Sequence, residues 1–289
     1  MNRQQETIVK TISDWFEHAQ RPLPWREQSA TAWHVVMSEF MLQQTPVVRV
    51  LPVYERFVTQ FPVPSAMAAT TQAHVVTEWG RLGYPRRAVR LHQLSQVLAE
   101  KFDDAVPESE EVLLSLPGIG QYTAAAIRAF AFGQHSVVVD TNVRRVLARA
   151  HQGAQWPAAS LNRQEMAIAA EYVPDDHRAA SRWNAAVMEL GAIVCTAASP
   201  TCDVCPIATL CAWNAAGKPQ SPRPHTTQKW HGTDRQCRGK IVQLLREVEV
   251  ASDKHIFDLW HDEVQCRKNL TALESEGMIR KSDAGWMLA

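Results

Sequence analysis

Residues 195–211 read CTAASPTCDVCPIATLC. Cys195, Cys202, Cys205 and Cys211 follow the spacing C-x6-C-x2-C-x5-C. Four thiolates this close in sequence can converge on one metal centre. A pair of disulfides is the plain alternative, but disulfides need an oxidising compartment and the N-terminus MNRQQETIVK lacks the apolar core of an export signal. Zinc prefers two close pairs on facing knuckles, and only one C-x2-C pair is present. Cysteine-only ligation at this spacing favours a 4Fe–4S cluster. Cys237 and Cys266 lie far from the group and read as plain thiols.

The rest of the composition sets limits. The chain has 289 residues, enough for two or three small domains. Hydrophobic residues make up 46%, so a packed core is available, and the 12 glycines among many helix formers predict a mostly helical protein. Thirty basic residues balance thirty acidic ones, so any nucleic-acid contact rests on local basic patches, not on bulk charge. No apolar run of membrane-spanning length occurs.

Upstream of the cysteines, LLSLPGIGQYTAAAIRAFAF predicts a helix to Leu116, a tight turn through Gly118 and Gly120, and a new helix from about Gln121. The new N-terminus offers free N–H groups to an anion. This is the pattern of a helix-hairpin-helix, which holds a DNA phosphate without reading sequence. An ordinary helix corner is the simpler alternative. Next, HSVVVDTNVRRVLARA places Asp140 at a helix start, where it is a favoured N-cap. The same position favours the carboxylate anion. Farther upstream, AWHVVMSEFMLQQT surrounds the single acid Glu39 with apolar residues. Most glutamates are exposed, but a desolvated one is pushed towards protonation. Oppositely tuned carboxyls combine a general acid with a cation stabiliser. In RLGYPRRAVRL, Arg81, Arg86, Arg87 and Arg90 surround Gly83 and Tyr84. They form either a solvated face or a phosphate-holding group around an aromatic that inserts into a base stack.

Helices are also predicted over 5–19, 52–61, 65–80, 88–101, 161–172 and 181–194. After Cys211 the polar, proline-rich NAAGKPQSPRPHTTQKW reads as a linker. Residues 234–249, 253–260 and 263–276 read as helices, followed by a strand–turn–strand, which together look winged-helix-like.

PLPWR, SEFMLQQT, RLGYPRRA, LPGIGQYTA, VVVDTNVRRVLAR and the four cysteines occur in one order. In this the first 215 residues or so resemble the MutY-type adenine DNA glycosylases of the endonuclease III superfamily, in a short-tailed form like that of actinobacterial members. The resemblance implies an all-α fold of two helical lobes. A six-helix barrel with the helix-hairpin-helix would span 28–136. An iron–sulfur cluster domain would combine 1–27 with 137–217. A linker at 218–230 would lead to a winged-helix-like unit at 231–289. Glu39 would protonate adenine and Asp140 would stabilise the sugar cation, flanked by Tyr122 and Asn142. Arg26 would sit near the extruded base. Tyr84 and Gln43 or Gln44 would probe the stack beside the opposing base, and Gly118 and Gly120 would hold the backbone. The implied activity is monofunctional excision of adenine opposite 8-oxoguanine or guanine. The implied cofactor is a 4Fe–4S cluster, and the implied partner is double-stranded DNA carrying an adenine mispair. The protein would be a cytoplasmic, nucleoid-associated monomer.

Three departures stand out. Thr141 follows the aspartate where the family usually has glycine. Ala185 replaces a residue that is often polar. The tail is too short for a MutT-like domain, so recognition of the opposing base is expected on the barrel side, with the tail adding only sequence-independent phosphate contacts. Tyr122 occupies the position of the lysine that gives endonuclease III relatives a strand-nicking amine, and no lysine occurs between Phe102 and Gly217. The alternatives are a glycosylase for thymine or uracil opposite guanine, and a non-catalytic iron–sulfur DNA-binding protein.

Overall fold

The structure, a computed structural model, describes residues 1–222 and 230–289. Most of the predicted linker lies outside the described residues. Contacts divide the chain into two compact units. The first takes in Met1–Val35, Glu108–Ser115 and Ile119–Thr226, and the second Val36–Pro107, Leu116–Gly118 and Thr227–Ala289.

The fold is all-α apart from one hairpin. Helices α1 (Arg3–Ala19) and α2 (Ala32–Leu42) open the chain, followed by α3 (Val47–Gln60), α4 (Pro64–Ala68), α5 (Gln72–Trp79) and α6 (Arg86–Phe102). Next come α7 (Glu110–Ser115), α8 (Gln121–Phe130), α9 (Thr141–Ala150), α10 (Arg163–Glu171), α11 (His177–Ile193) and α12 (Ala212–Ala215). The C-terminal segment holds α13 (Asp234–Glu247), α14 (Asp253–Phe257), α15 (Glu263–Ser275) and the antiparallel strands β1 (Ile279–Ser282) and β2 (Gly285–Leu288). No helix among the described residues is long and apolar enough to cross a membrane.

In the first unit, α9 and α11 pack side by side with α1 against α11 and α10 and α12 against α9. Ile8, Ile12, Val143, Val146, Trp183, Val187 and Leu190 form its core, and three of the four clustered cysteines, Cys195, Cys205 and Cys211, pack on its edge. Gly191 permits this approach, because a Cβ there would lie 2.6 Å from the Cβ of Asn142. Tyr172 stacks on Trp183 at 5.8 Å.

In the second unit, α4 and α5 pack on α6. The C-terminal segment is anchored to these helices at several points. Arg246 Nε donates to the Val76 carbonyl (3.0 Å), Gln72 Nε2 to the Gly277 carbonyl (2.6 Å), and Glu276 accepts from both Arg86 and Arg238. Ala251 pairs with Trp286 and widens the hairpin into the wing of the winged-helix-like unit.

Several boundaries differ from the sequence reading. Helix α3 begins at Val47, before Pro52. Proline removes one hydrogen bond near the helix start, and burial of Val50, Val53, Tyr54 and Phe57 on one face offsets it. The predicted helix over 65–80 is two helices, because the Thr71 hydroxyl accepts from His74 N–H and starts α5. The units also fall differently from the predicted lobes. Helix α8 packs on α11, with Ser181 Oγ donating to the Ala129 carbonyl (2.7 Å), so 119–136 belongs with the first unit. The C-terminal segment belongs with α3–α6 and does not stand alone.

The helix-hairpin-helix turn separates its two glycines. Gly118 has φ +78°, and a Cβ there would meet Phe40 Cε1 at 2.8 Å and Arg90 Cβ at 2.9 Å. Gly120 has ordinary extended backbone and nothing near a Cβ, so the turn needs positive φ only at Gly118. Gly118→Ala is therefore expected to destabilise the protein by about 1–3 kcal/mol. Gly120→Ala should change stability by less than about 1 kcal/mol, since no contact is lost. Urea unfolding of both variants measures the difference.

Candidate active site and cluster cavity

In the first unit, Asp140 is the N-cap of α9. Its Oδ1 accepts from Asn142 N–H (2.8 Å) and Val143 N–H (2.7 Å), and its Oδ2 from Asn142 Nδ2 (2.6 Å). Burial nonetheless pushes the Asp140 carboxyl above its ordinary value. The hydrogen bonds from Val143 and Asn142 and the charge of Arg145 oppose that rise without cancelling it. The N-cap position alone favours the anion, but desolvation by the packed fold outweighs it. Tyr122, at the second position of α8, packs half-buried against the cluster of Ala126, Ala129 and Val138.

Asn142 is itself held. Arg145 Nη2 donates to Asn142 Oδ1 (2.8 Å) and to the Gly191 carbonyl (2.6 Å), while its Nε donates to the Cys195 carbonyl (2.7 Å). One guanidinium thus connects the backbone of a clustered cysteine to the side chain that orients Asp140. One turn on, Arg149 is 1% exposed. It donates to Cys195 Sγ (3.3 Å) and to the carbonyls of Gln155, Thr196 and Ala197. Its guanidinium also faces the Trp213 ring at 4.9 Å.

Cys195, Cys202, Cys205 and Cys211 line one cavity with Val146, Leu190, Val194 and Ile207. Burial pushes the Cys205 thiol up to about 11; the Ile207 N–H works against this, and the other three sulfurs add to it. Four cysteines around one apolar cavity, with burial pushing the Cys205 and Cys211 thiols up and N–H donors opposing that rise, fit a group that binds thiolates and supplies positive charge. Among the described residues no three such side chains are placed to hold a single metal ion.

Arg26 is tied to α11. Its Nη2 donates to Glu189 Oε2 (3.0 Å), and Arg21 Nε and Nη2 grip the same carboxylate at 2.7 and 2.9 Å. Glu189 is buried, which raises its pKa, but the hydrogen bonds and charges of Arg21 and Arg26 win and hold it down at about 2. The PLPWR loop is therefore fastened to α11. Ala185 packs on the core of the same unit.

In the second unit, Glu39 on α2 is 6% exposed among Val36, Phe40 and Met41, so it is not the surface carboxylate that most glutamates are. Gln43 is half-buried and Gln44 exposed. Gln44 (φ +55°) and Tyr84 (φ +47°) both adopt left-handed backbone, which non-glycine residues rarely do and which the surroundings must hold. Arg87 holds both. It donates to the carbonyls of Phe40, Met41, Gln43, Leu82 and Gly83 and to Thr45 Oγ1, and its guanidinium lies 5.5 Å from the Tyr84 ring centre. Burial lowers its pKa to about 10. The four arginines around Tyr84 are thus not equivalent. Arg87 is internal, Arg86 is paired with Glu276, and Arg81 and Arg90 face solvent.

Residues 37–171 match the HhH-GPD superfamily base excision DNA repair protein family. The chain is 45% identical over 276 residues to the adenine DNA glycosylase of Mycolicibacterium smegmatis, covering 95% of this chain and 93% of that one. It belongs to the adenine DNA glycosylase family. The match takes in most of the C-terminal segment as well. Among solved structures, a thermostable thymine-DNA glycosylase superposes with TM-score 0.66 at 26% identity, covering 74% of this chain and 98% of that one. An endonuclease III in a non-covalent DNA complex superposes with TM-score 0.63 at 22% identity, covering 75% and 99%, and shares the fold.

Arg145, Arg149, Glu189 and the internal role of Arg87 escaped the sequence reading. The spacing of Arg145 and Arg149, one turn apart beside the apolar stripe of α9, was the one available signal.

The Glu189 cluster makes a pH-dependent prediction. A carboxyl held at about 2 contributes stability above its ordinary value of 4.5 and loses it as pH falls towards 2. Glu189→Gln should cost roughly 1–3 kcal/mol at pH 7, because it leaves two half-buried guanidinium groups without their carboxylate. The gap between variant and wild type should narrow steadily below pH 4.5, as followed by chemical denaturation at a series of pH values.

Proposed function

We propose that this protein removes adenine from duplex DNA where it is mispaired with 8-oxoguanine or guanine, by hydrolysis of the N-glycosidic bond and without efficient strand nicking. The 45% identity to an adenine DNA glycosylase over nearly the whole of both chains carries the reading. Two carboxyls, buried Glu39 and half-buried Asp140, give it chemistry. Adenine leaves as a neutral base only if a ring nitrogen takes a proton, and the buried carboxyl of Glu39 is suited to deliver it. The C1′–N bond breaks with its electrons going to the base, and positive charge develops on the sugar. Asp140, oriented by Asn142, faces that charge in a site where burial strengthens the attraction. Water then adds to C1′ and loses a proton. The Tyr122 hydroxyl is the candidate neighbour on α8. The helix-hairpin-helix suits a DNA phosphate, and the structural likeness to a DNA-bound endonuclease III supports duplex DNA as partner.

The cysteine cavity is suited to a 4Fe–4S cluster, which would supply a compact multivalent cross-link for the loop after α11. Cys195, Cys202, Cys205 and Cys211 would hold it. Purified protein should be yellow-brown with roughly four iron and four sulfide per chain. Cys202→Ser should lower the yield of folded protein. One zinc and no colour would contradict the assignment.

Duplexes with A:8-oxoguanine, A:G, T:G and U:G pairs, incubated with the protein and then treated with alkali, test the activity. Strand breaks are expected at adenine only, and breaks confined to T:G or U:G would replace this reading with the thymine or uracil alternative. Glu39→Gln should abolish excision while sparing duplex binding. Asp140→Asn should slow it by roughly two or more orders of magnitude. Since Asp140 must be ionised and burial raises its pKa, single-turnover excision should climb with pH through an apparent pKa above the ordinary aspartate value.

A further inference from the structure

The C-terminal segment reaches the one aromatic that the sequence reading reserved for the barrel. Arg235, in the first turn of α13, holds its guanidinium carbon 4.7 Å from the centre of the Tyr84 ring and 5.4 Å from that of Trp230. Arg235 is exposed, and among the described residues it has no carboxylate partner. Its neighbours in the segment differ: Arg238 is paired with Glu276, and Lys240 donates to the Leu259 carbonyl. The anchors through Arg246, Gln72 and Glu276 belong to the same unit as Tyr84, so the segment is fixed where it contacts the ring. Tyr84 itself has strained backbone and is held from within by Arg87. The result is a cation in contact with two aromatic rings at the surface, the kind of group on which nucleic-acid bases stack.

We propose that Arg235 is a duplex-contacting residue supplied by the C-terminal segment, and that it acts as a placeholder on Tyr84. Its planar guanidinium covers ring surface on which a base would stack. When a base takes that place, the side chain turns to a backbone phosphate beside the base opposite the adenine. A cation–π contact is exchanged for a charge-assisted contact to phosphate, so the tyrosine stays covered and ordered in the free protein at little cost to binding. This deepens the proposed function and rests on it for the identity of the duplex. It also reverses the expected division of labour, since the short tail then works through the barrel's own probe.

The test uses the full-length protein and a duplex in which 2′-fluoro-2′-deoxyadenosine, which resists excision, faces guanine, with 2-aminopurine next to that guanine. Affinity is measured by anisotropy across a salt series, and unstacking by 2-aminopurine fluorescence. Arg235→Ala should weaken binding by roughly tenfold and make the log Kd against log salt slope shallower by about 0.9, one phosphate contact. Arg235→Lys should keep the slope. Arg235→Gln, which retains the stem and a planar group, should lose the slope as alanine does, and it carries the test if the alanine variant fails to fold. The 2-aminopurine signal should fall in Arg235→Ala, and adding Arg235→Ala to Tyr84→Ala should lower it no further. An unchanged slope and signal in a folded Arg235→Ala or Arg235→Gln variant would overturn the proposal, as would a slope lost equally in Arg235→Lys. Excision by the wild type on the corresponding adenine duplex is scored separately. Its failure would sink the functional reading, while the slopes would still decide whether Arg235 meets phosphate.

Discussion

A guanidinium taken out of water must find acceptors for its N–H groups, and in this protein that requirement shapes the loops on which function depends. Arg87, Arg145 and Arg149 are all buried. Each gives most of its donors to backbone carbonyls at helix ends and in the loops beside them. Arg87 unites the end of α2 with the turn before α6. Arg145 and Arg149 fasten the chain that follows α11 to α9. Such loops carry carbonyls that secondary structure leaves unpaired, and one planar fork satisfies several at fixed angles. Lysine, with a rounder and more strongly hydrated head, would not replace them equivalently.

The same device explains how strain is tolerated. Two non-glycine residues with left-handed backbone, Gln44 and Tyr84, lie on the two segments that Arg87 joins. The strain is held locally because the neighbouring carbonyls of Gln43 and Gly83 both accept from that guanidinium. Tyr84 is thus held in a costly backbone state, partly exposed, with Arg87 on its inner side and Arg235 at its ring.

In the other unit, the path from cysteine to carboxyl is short. The Cys195 carbonyl, Arg145, Asn142 and Asp140 form a continuous run of hydrogen bonds. Gly191 makes it possible, because any larger residue would push α11 away from Asn142. The geometry of the acid is thereby tied to the geometry of the loop that carries the cysteines, and a disturbance of one reaches the other through defined bonds.

Read alone, the sequence determined the helical fold, the four cysteines as one group, the helix-hairpin-helix and the N-cap at Asp140, because these depend on local spacing: apolar periodicity, a glycine turn and an N-cap. The burial of Glu39 was foreshadowed by its apolar neighbours in the chain. Other features depended on packing between distant segments. Glu189 meets Arg21 and Arg26 across more than 160 positions of sequence. Arg235 meets Tyr84 only because the C-terminal segment folds back onto α5 and α6. The upward shift of Asp140 likewise comes from atoms gathered by the tertiary fold, which outweigh the cap that the sequence displays. Spacing along the chain records what one element does by itself; desolvation and long-range pairing exist only once the elements have packed.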